Sequence, residues 1–452
     1  MLKTTPPKGT QDRYPEEFEI RKYIFDTRRQ VCTSFGYQEY LGPLVESVEI
    51  WKAKSGEDVG GTELTKLTDR NGEISDLALR PEMTPTVTRM VAKNYSQLAK
   101  PVRYFSIANF YRNERPQRGR NREFWQLNVD CFGSTEQNTD LEILMMAMEL
   151  MKAFNPPKNS RELHINNRFL IDAVLDSLHI TKESKQATVR IMDKRKKLKP
   201  EDIDPTLTDL GLDEQQREQL KKYMEIKNLD ELVQVFPEIS ETNGYKETKN
   251  IIAKLTEIGY GGYLSYHSDL IRGFDYYDGL VFEIFDTHPD NKRALFGGGR
   301  YNGLSTIFIK EEIPAVGFAP GDETMKLFLE SRGLLEKIQK KTAIRTMYFP
   351  ILDESLHTEM LKLAEILRKE RNVVVGVAPQ GFGKAMKYAD KNNFNFVIIY
   401  GEQEKQAGVY KVKDMQTGKE RAYTFDLKKI EEEGLKTGYE RFCSKKLNQE
   451  GK

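Results

Sequence analysis

The stretch from residue 37 to residue 133 is dominated by extended segments, and this feature constrains the fold most. Four segments are rich in β-branched and aromatic residues and are separated by turn signals: YQEYLGPLV, ISDLALR, VRYFSIANFYR and REFWQLNVDCFG. Successive strands of this kind favour an antiparallel sheet. Sheet-like sequence resumes at GYLSYHSDLIRGFDYYDGLVFEIFD and continues through ALFGGGRYNGL to IPAVGFAP. We therefore expect one antiparallel sheet built from two separate stretches of the chain.

Helical patterns interrupt and flank these strands. Apolar residues recur at three- and four-residue steps over 15–35, and helical patterns also cover 85–93 and 140–154. Between about 168 and 256 the sequence becomes rich in Lys, Glu, Asp and Leu, which indicates a helical insertion. The fold class that we predict for residues 1–335 is therefore α+β.

A different pattern begins near residue 340. The short apolar segments TMYFPI, VVVGVA and FVIIYG alternate with helical patterns over 355–370 and 382–391. This alternation is typical of β-α-β units. We predict a separate α/β domain over 340–452.

Composition excludes several classes of protein. The 70 basic and 69 acidic side chains give a net charge of +1, so local clusters must contact any polyanion. One candidate is DKRKKLK, residues 193–199, which is either a solvated helix end or a phosphate-contacting surface. No stretch approaches the ~18 uncharged apolar residues of a membrane span, and the polar N-terminal sequence does not resemble a secretory signal. We expect a cytoplasmic chain that begins near Met1, with no membrane association.

Cysteine and histidine residues are few and scattered. The three cysteines and five histidines form no disulfide framework, C-x-x-C clip or H-E-x-x-H motif. We therefore expect reduced thiols and no metal ion bound by the protein alone.

The most concentrated functional signal is the segment YRNERPQRGRNREFWQ, residues 111–126. It carries five arginines in a predicted hairpin: Arg112, Arg115, Arg118, Arg120 and Arg122. Clustered guanidinium groups bind phosphate well. The alternative is a salt-bridged surface hairpin in which Glu114 and Glu123 neutralise part of the charge. Phe124 and Trp125 add flat apolar surface, and nucleotide binding needs a base stacked beside a held phosphate.

Two other motifs are suggestive but ambiguous. In RGFDYYDG, Arg272 precedes Tyr276 and Tyr277, and core packing is the alternative interpretation. Adjacent tyrosines on a strand face opposite sides, so at most one shares the face of Arg272 unless the chain bends near Gly273. In FGGGRYNGL, three consecutive glycines permit positive φ and close approach of the backbone to a ligand. Neither a dinucleotide fingerprint nor a P-loop occurs in the sequence.

Taken in order, these pieces resemble the histidyl-tRNA synthetases, which are class II aminoacyl-tRNA synthetases. GYQEYLGPLVES resembles motif 1, with Pro43 at the dimer-interface position. LALRPEMT and YRNERPQRGRNREFWQL resemble the leading segment and motif 2, and RGFDYYDG resembles the histidine-specific signature. The C-terminal β-α-β segment is similar to the anticodon-binding domain of several class II synthetases. Signals of class I synthetases, of the HIGH and KMSKS type, are absent from the sequence.

The resemblance implies an ATP-dependent ligase that joins L-histidine to tRNA(His) through histidyl-adenylate. The implied enzyme is a cytoplasmic homodimer that uses ATP with bound Mg²⁺. Its implied histidine site consists of Glu82, Met83, Thr84, Arg112, Gln126, Asp130, Arg272, Tyr276 and Tyr277. Of these, Glu82 and Gln126 suit the α-amino group, whereas Asp130 and a tyrosine hydroxyl suit the imidazole, which can donate and accept.

The resemblance also assigns residues to ATP and tRNA. The implied ATP site consists of Arg112, Glu114, Phe124 and Arg272. The implied catalytic residues are Arg112 and Arg272, which would flank the α-phosphate as the histidine carboxylate attacks it. Gln117 and Arg118 are the implied tRNA contacts, in the loop that bacterial relatives use for the 5′ guanosine of tRNA(His).

The sequence departs from the family at motif 3. Residues 321–324 are GDET, so Thr324 stands where relatives usually place an arginine over the adenine, opposite the motif 2 phenylalanine. Either another cation, for which Arg300 is the candidate, covers the adenine, or stacking depends on Phe124 alone. We favour compensation by another cation.

Two rival functions follow from this departure and from the family itself. One is a non-catalytic, synthetase-like regulatory subunit of ATP phosphoribosyltransferase. Such paralogues lack the anticodon-binding domain and often degrade the histidine signature, whereas this chain retains both. The other rival, an RNA-binding or signalling module on an inactive synthetase fold, is favoured by the missing motif 3 arginine.

Overall fold

The chain folds into two compact units, Met1–Thr342 and Ala343–Lys452. The computed structural model describes residues 3–52, 61–195, 200–271, 276–291, 293–342 and 346–424. Arg272 and residues 196–199 of the basic stretch lie outside the described residues.

The first unit contains the large predicted sheet and most of the helices. Its strands are β1 (Gln38–Glu39), β2 (Val45–Ser47), β3 (Thr65–Thr68), β4 (Ile74–Leu79), β5 (Val102–Tyr111), β6 (Glu123–Phe132), β7 (Arg161–Asn167), β8 (Leu264–Tyr266), β9 (Leu280–Asp286), β10 (Ala294–Arg300) and β11 (Ala315–Phe318). Its helices are α1 (Pro15–Ser34), α2 (Glu49–Lys52), α3 (Thr84–Asn94), α4 (Gln137–Lys152), α5 (Arg168–Ser177), α6 (Lys182–Lys194), α7 (Pro200–Asp209), α8 (Glu214–Glu225), α9 (Leu229–Val235), α10 (Asn243–Glu257), α11 (Asp322–Ser331) and α12 (Leu335–Thr342). The predicted helices over 15–35, 85–93 and 140–154 are thus confirmed as α1, α3 and α4.

An eight-stranded sheet organises this unit, in the order β1-β5-β6-β11-β10-β9-β7-β8. Strand β1 pairs parallel with β5, and β7 pairs parallel with β8. The remaining pairs of this sheet are antiparallel. A second sheet of three strands has the order β2-β4-β3. The predicted α+β class with a mainly antiparallel sheet is confirmed.

The long hairpin of β5 and β6 packs one face into the main core and presents the other face to the candidate site. The two strands pair antiparallel from Val102 opposite Phe132 to Tyr111 opposite Glu123. Because side chains alternate along a strand, residues of one parity share a face. Leu127, Val129 and Cys131 lie in the main core with residues of α1, α4 and α11. The alternate residues face the opposite side, which holds the candidate site.

The insertion has a hydrophobic core of its own. Helices α5 to α10 supply most of that core, in which Leu170, Leu220, Tyr223 and Leu232 are fully buried. The last helix, α10, also packs on β7 and α4 and so joins the insertion to the main sheet.

The second unit is an α/β sheet. Its strands are β12 (Thr346–Phe349), β13 (Asn372–Val375), β14 (Phe396–Ile399), β15 (Val409–Asp414) and β16 (Glu420–Thr424), and its helices are α13 (His357–Arg368), α14 (Phe382–Lys391) and α15 (Glu402–Gln406). The strand order is β13-β12-β14-β15-β16, with the first three strands parallel and the last two antiparallel. The helix predicted over 382–391 is confirmed as α14. In the described part of the chain, no helix is both long enough and apolar enough to span a membrane.

Candidate active site

Cross-strand pairing assembles the candidate site on the front face of the β5–β6 hairpin, the face opposite the main core. Along β6 this face presents Phe124, Gln126, Asn128 and Asp130 in turn. Helix α3 and the segment before it, which contains Glu82 and Met83, pack on the same side. The predicted site residues on β6 and in the segment before α3 therefore lie on one surface.

Asp130 is the deepest charged group of the site. It is 2% exposed, and one carboxylate oxygen accepts a hydrogen bond from the Tyr301 hydroxyl. Its other oxygen, Oδ2, is buried and has no hydrogen-bond partner among the described residues. Burial raises the pKa of Asp130 to about 7, an effect that the Tyr301 hydrogen bond opposes and the nearby Glu82 carboxylate increases. Asp130 is poised to accept a proton or an N–H donor from a ligand.

Gln126 and Glu82 supply further acceptors. The Gln126 Nε2 donates to the Ala319 carbonyl at 3.0 Å, which fixes the side chain, while its Oε1 is buried and lacks a partner within the described chain. Glu82 is 4% exposed and accepts from the Tyr276 hydroxyl at 3.1 Å. Thr84, two residues after Glu82, is the first residue of α3 and is buried. Fixed acceptors of this kind suit an ammonium group.

Met83 was also a sequence-predicted histidine contact. Its side chain is fully buried in an apolar cluster with Ala108 and Phe110. The Met83 side chain thus forms part of the apolar wall behind the site.

The two tyrosines of RGFDYYDG do not occupy a strand, because β9 begins only at Leu280. The expectation that they face opposite sides of a strand therefore does not apply. The Tyr276 ring lies 4.9 Å from that of Tyr277 and 5.6 Å from that of Tyr301. Both tyrosines border the site, since Tyr276 binds Glu82 and Tyr277 lies against Gly299.

The glycines of FGGGRYNGL act through their missing side chains and not through positive φ. Residues 297–299 belong to β10, and none of them has positive φ. A Cβ on Gly299 would lie 2.8 Å from the Tyr277 ring. On the neighbouring strand, a Cβ on Gly317 would lie 2.5 Å from Asp130 Oδ1. The glycines let Tyr277 and Asp130 lie close to the sheet.

Arg112 connects the pocket to the arginine-rich hairpin. Its Nε donates to the Pro81 carbonyl at 2.9 Å, and its guanidinium lies 5.3 Å from the centre of the Phe124 ring. Phe124 stacks on Phe110 with ring centres 5.7 Å apart. A held cation and a flat aromatic ring thus stand side by side, as nucleotide binding requires.

The hairpin arginines are mostly free of carboxylates. Within the described ranges, Arg120 alone of the five pairs with a carboxylate, that of Glu114 at 3.0 Å. This pairing occupies Glu114, a predicted ATP ligand. The pattern favours a phosphate-binding cluster over a fully salt-bridged hairpin.

The predicted tRNA contacts lie in the same exposed loop. Gln117 accepts a hydrogen bond from Arg293 at 2.8 Å, and Arg118 donates to the Asp290 carbonyl at 3.2 Å. The turn between β9 and β10 therefore supports this loop.

The candidate replacement for the motif 3 arginine is wrong. Arg300 is 6% exposed, and its guanidinium binds Asp140 at 2.7 Å and the Ser134 carbonyl at 2.8 Å. It is fixed to the start of α4 and cannot cover an adenine. Thr324 donates to the Leu295 carbonyl at 2.8 Å, while the preceding Asp322 pairs with Arg21 at 2.7 Å.

Sequence reasoning missed Tyr301, which binds Asp130 directly. The glycine run before it attracted the functional interpretation, and only the pairing of β10 with β11 and of β11 with β6 brings Tyr301 to Asp130. No group of three or more His, Cys, Asp or Glu able to hold a metal ion occurs in the described ranges.

Comparisons with known proteins identify the family of the chain. The histidyl-tRNA synthetase family profile matches residues 9–323, and the anticodon-binding domain profile matches residues 339–436. The histidine–tRNA ligase of Leptospira biflexa serovar Patoc is 38% identical over 96% of this chain and 98% of its own length. That of Haloarcula marismortui is 34% identical over 91% of this chain and 94% of its own.

A solved structure shows the same fold. The histidyl-tRNA synthetase from Nostoc sp. PCC 7120 superimposes with a TM-score of 0.77 at 23% identity, covering 96% of this chain and all of the other. The family match and the extent of the two ligase alignments lead to one conclusion: this chain belongs to the histidyl-tRNA synthetase family.

Proposed function

We propose that the chain ligates L-histidine to tRNA(His) through histidyl-adenylate, at the expense of ATP. The observation that supports this most is the pair of buried acceptors on β6, Gln126 Oε1 and Asp130 Oδ2, which find no partner among the described residues. Histidine carries a donor at each end, the α-ammonium group and an imidazole N–H. An apolar analogue would leave these acceptors unpaired, and that penalty gives strong discrimination.

In the first proposed step, a carboxylate oxygen of histidine attacks the α-phosphorus of ATP. A phosphorus–oxygen bond forms, the bond to pyrophosphate breaks, and no protein nucleophile is needed. Arg112 stabilises the developing charge together with Arg272, which the family resemblance assigns. The Pro81 carbonyl holds Arg112 beside Phe124, the proposed adenine platform. Mg²⁺ bound to the nucleotide would neutralise part of the phosphate charge.

In the second proposed step, a hydroxyl of the terminal tRNA ribose attacks the carbonyl carbon of the adenylate. An ester bond forms, AMP leaves with the bonding electrons of the broken carbon–oxygen bond, and the proton of the attacking hydroxyl passes to the departing phosphate. Gln117 and Arg118 contact the acceptor end of tRNA(His) in this proposal. Both are exposed in the hairpin loop, which supports such a role.

The two parts of the chain divide this work. We assign activation to residues 1–335 and anticodon binding to residues 340–452. A chain ending at Thr342 should still activate histidine but should charge tRNA poorly. Undiminished charging by that chain would contradict the division. A regulatory subunit of ATP phosphoribosyltransferase is disfavoured, since the anticodon-binding profile matches residues 339–436.

A homodimer is the proposed assembly. Four large apolar side chains stand exposed on the motif 1 loop and β4: Leu41 at 71%, Leu44 at 42%, Ile74 at 74% and Leu77 at 46%. Large apolar side chains this exposed support an interaction surface on this part of the unit. Leu41→Asp should convert the dimer to a monomer in light scattering, whereas Leu361→Asp, at an apolar residue of the other unit that is 40% exposed, should not.

We place the activity in the cytoplasm. Cys32 and Cys131 are buried free thiols, and burial raises their pKa to about 12 and about 11. Buried thiols in this state are inert and fit a reducing compartment.

Histidine-dependent exchange of pyrophosphate into ATP tests the proposal. We expect exchange with histidine alone among the amino acids, and charging of tRNA(His) when tRNA is added. Tight histidine binding without exchange would favour the regulatory subunit. Neither binding nor exchange would favour the inactive RNA-binding module.

A further inference from the structure

Helix α1 carries a buried arginine that the proposed steps do not use. Arg28 is fully buried, and Ile24 and Cys32, one turn before and one turn after it on the same face of the helix, belong to the main apolar core. A buried charge is costly unless it is paired and hydrogen-bonded, and an apolar side chain would complete such a core at a lower cost. The presence of an arginine here therefore calls for a role other than packing.

The Arg28 guanidinium binds main-chain carbonyls. One terminal nitrogen donates to the Pro320 carbonyl at 3.2 Å, and the other donates to the Gly321 carbonyl at 2.8 Å. The Nε atom is buried and has no hydrogen-bond partner among the described residues. Burial lowers the pKa of Arg28 to about 10, although the nearby Asp322 carboxylate opposes this shift. The side chain is therefore still a cation at neutral pH.

The two carbonyls belong to residues 319–321, which join β11 to α11. We call these three residues the β11–α11 segment. Gly321 forms a bridge with Gln126, so the segment continues along β6 beyond the end of β11. The Ala319 carbonyl accepts the hydrogen bond from Gln126 Nε2 at 3.0 Å. Arg28 thus holds the segment that holds the Gln126 side chain.

The orientation of the Gln126 carboxamide decides what the site offers to a ligand. Its Nε2 is a donor and its Oε1 an acceptor, and rotation exchanges the two. Because Nε2 is bound to the Ala319 carbonyl, Oε1 is the end left for the substrate. A displaced carbonyl would release the carboxamide and allow it to present a donor to an ammonium group, which cannot accept.

We propose that Arg28 is a positioning residue for histidine activation: it clamps the β11–α11 segment so that Gln126 presents its Oε1 to the substrate ammonium group. This inference rests on the proposed function and adds to it a residue outside the site. The guanidinium is planar and holds its donors in a rigid fork, so two bonds to successive carbonyls fix the direction of the segment. Small displacements of positioning groups are enough to weaken a site.

The competing explanation is that Arg28 only fastens α1 to the start of α11. Stability separates the two ideas, because both carbonyls keep another donor when Arg28 is removed. The Pro320 carbonyl also accepts from the Leu127 N–H at 3.1 Å, and the Gly321 carbonyl also accepts from the Thr324 hydroxyl at 3.4 Å. Replacing a buried charge with an apolar side chain is often neutral or stabilising. The loss of Arg28 should therefore be seen in substrate binding and not in stability.

The experiment uses the full chain, the exchange reaction and the variant Arg28→Met. We expect the KM for histidine to rise about 3- to 10-fold, since the bond to a charged group is misaligned but not deleted. The KM for ATP should stay the same, and the melting temperature should stay the same or rise. Imidazolepropionate, which is histidine without its amino group, serves as a competitive inhibitor. Its inhibition constant should not change, because it does not use Gln126.

A double-mutant cycle tests whether the effect passes through Gln126. Gln126→Met removes the carboxamide and should raise the KM for histidine more than Arg28→Met does. When Gln126 is already methionine, adding Arg28→Met should change this KM less than about 2-fold, because residues that act through one contact are not additive.

Arg29→Met is the matched control. Arg29 is the next residue of α1, but its side chain is 40% exposed and pairs with Glu39 at 2.8 Å. This variant should leave both constants and the melting temperature unchanged. If Arg28→Met fails to fold, Arg28→Lys keeps the charge and lacks the planar fork. The lysine variant should raise the KM for histidine by a smaller factor and again spare the analogue.

Three results would overturn the inference. An unchanged KM for histidine in the Arg28 variants would leave Arg28 a structural residue. Equal rises for histidine and imidazolepropionate would show that the whole pocket shifts, and full additivity with Gln126→Met would show that Gln126 is not the group that Arg28 positions. Absence of histidine-dependent exchange in the unmodified chain would overturn the proposed function as well, so the two failures are distinguishable.

Discussion

The two faces of the β5–β6 hairpin share a backbone but have opposite chemistry. On the back face, Phe105, Leu127 and Val129 are no more than 1% exposed and complete an apolar core. On the front face, Asn128 and Asp130 are equally buried, yet each has a side-chain oxygen without a partner in the described residues. Burial alone therefore does not distinguish a core from a site.

The two faces differ in whether their buried atoms already have partners. The back face gains its stability from contacts that are already made, whereas the front face carries desolvated polar atoms that a ligand must satisfy. Substitutions on the back face should therefore change stability, and those on the front face should change activity. The predictions below test that separation.

The largest expected effect is on stability, from a back-face substitution. Leu127→Ala removes a fully buried side chain from the main core and should lower the free energy of unfolding by about 2–5 kcal/mol. Urea unfolding measures the loss. Histidine-dependent exchange, assayed well below the melting temperature, should stay close to that of the unmodified chain. A large loss of exchange with unchanged stability would break the comparison.

The second largest expected effect is on the rate at which histidine is activated. Arg112→Ala should reduce kcat for exchange by about 100-fold or more, near 3 kcal/mol, because it removes a cation aimed at developing charge. Thermal unfolding should shift little. Arg103→Ala is the matched control, since Arg103 lies on β5, the strand that Arg112 directly follows, and forms an ion pair with Glu142 at 2.8 Å. That control should keep normal exchange, and equal losses in both variants would contradict the assignment.

The titration of Asp130 gives a third test. Its folded pKa of about 7 lies above that of an unfolded aspartate, so between pH 4 and 7 the folded chain binds the extra proton. Stability contributed by this group is therefore full at low pH and is lost as the pH rises towards 7. Relative to Asp130→Asn, the free energy of unfolding of the ligand-free chain should fall by up to about 1.4 kcal/mol for each unit that the pH rises over this window. Urea unfolding at several pH values measures the difference in the free energy of unfolding between the two chains. A difference that does not change with pH would contradict the prediction.

Thr324 gives the smallest expected effect. Because Arg300 is bound to Asp140, it does not supply the cation that we expect over the adenine. Thr324→Arg should therefore lower the KM for ATP by about 2- to 30-fold, which corresponds to a cation–π contact of about 0.5–2 kcal/mol. Thr324→Met adds volume without charge and should not do so. An unchanged or higher KM for the arginine variant would show that another cation already covers the base.

Local patterns were sufficient for much of the fold. Helix α14 was predicted at its observed bounds, and α1 within one residue of its end, because apolar spacing and glycine or proline signals determine such elements. The motif around Arg112 and Gln126 also identified the correct hairpin. The contacts that the sequence does not predict depend on pairing between distant segments.

Arg300 and Tyr301 illustrate that limit. Adjacent in sequence, they have different partners, since Arg300 binds Asp140 of α4 while Tyr301 binds Asp130 of β6. Neither partner lies within 150 residues in the sequence, so local patterns could not reveal them. The position of Ser106 opposite Asn128 likewise becomes visible only when the register of β5 against β6 is known.

A structure of the chain with bound histidine tests the central claim most directly. The claim is that the partnerless polar atoms of the front face are the amino-acid site. The account predicts the α-ammonium group within hydrogen-bonding distance of Gln126 Oε1, an imidazole N–H at Asp130 Oδ2, and no change on the back face. Histidine bound elsewhere, with both oxygens still unpaired, would contradict it.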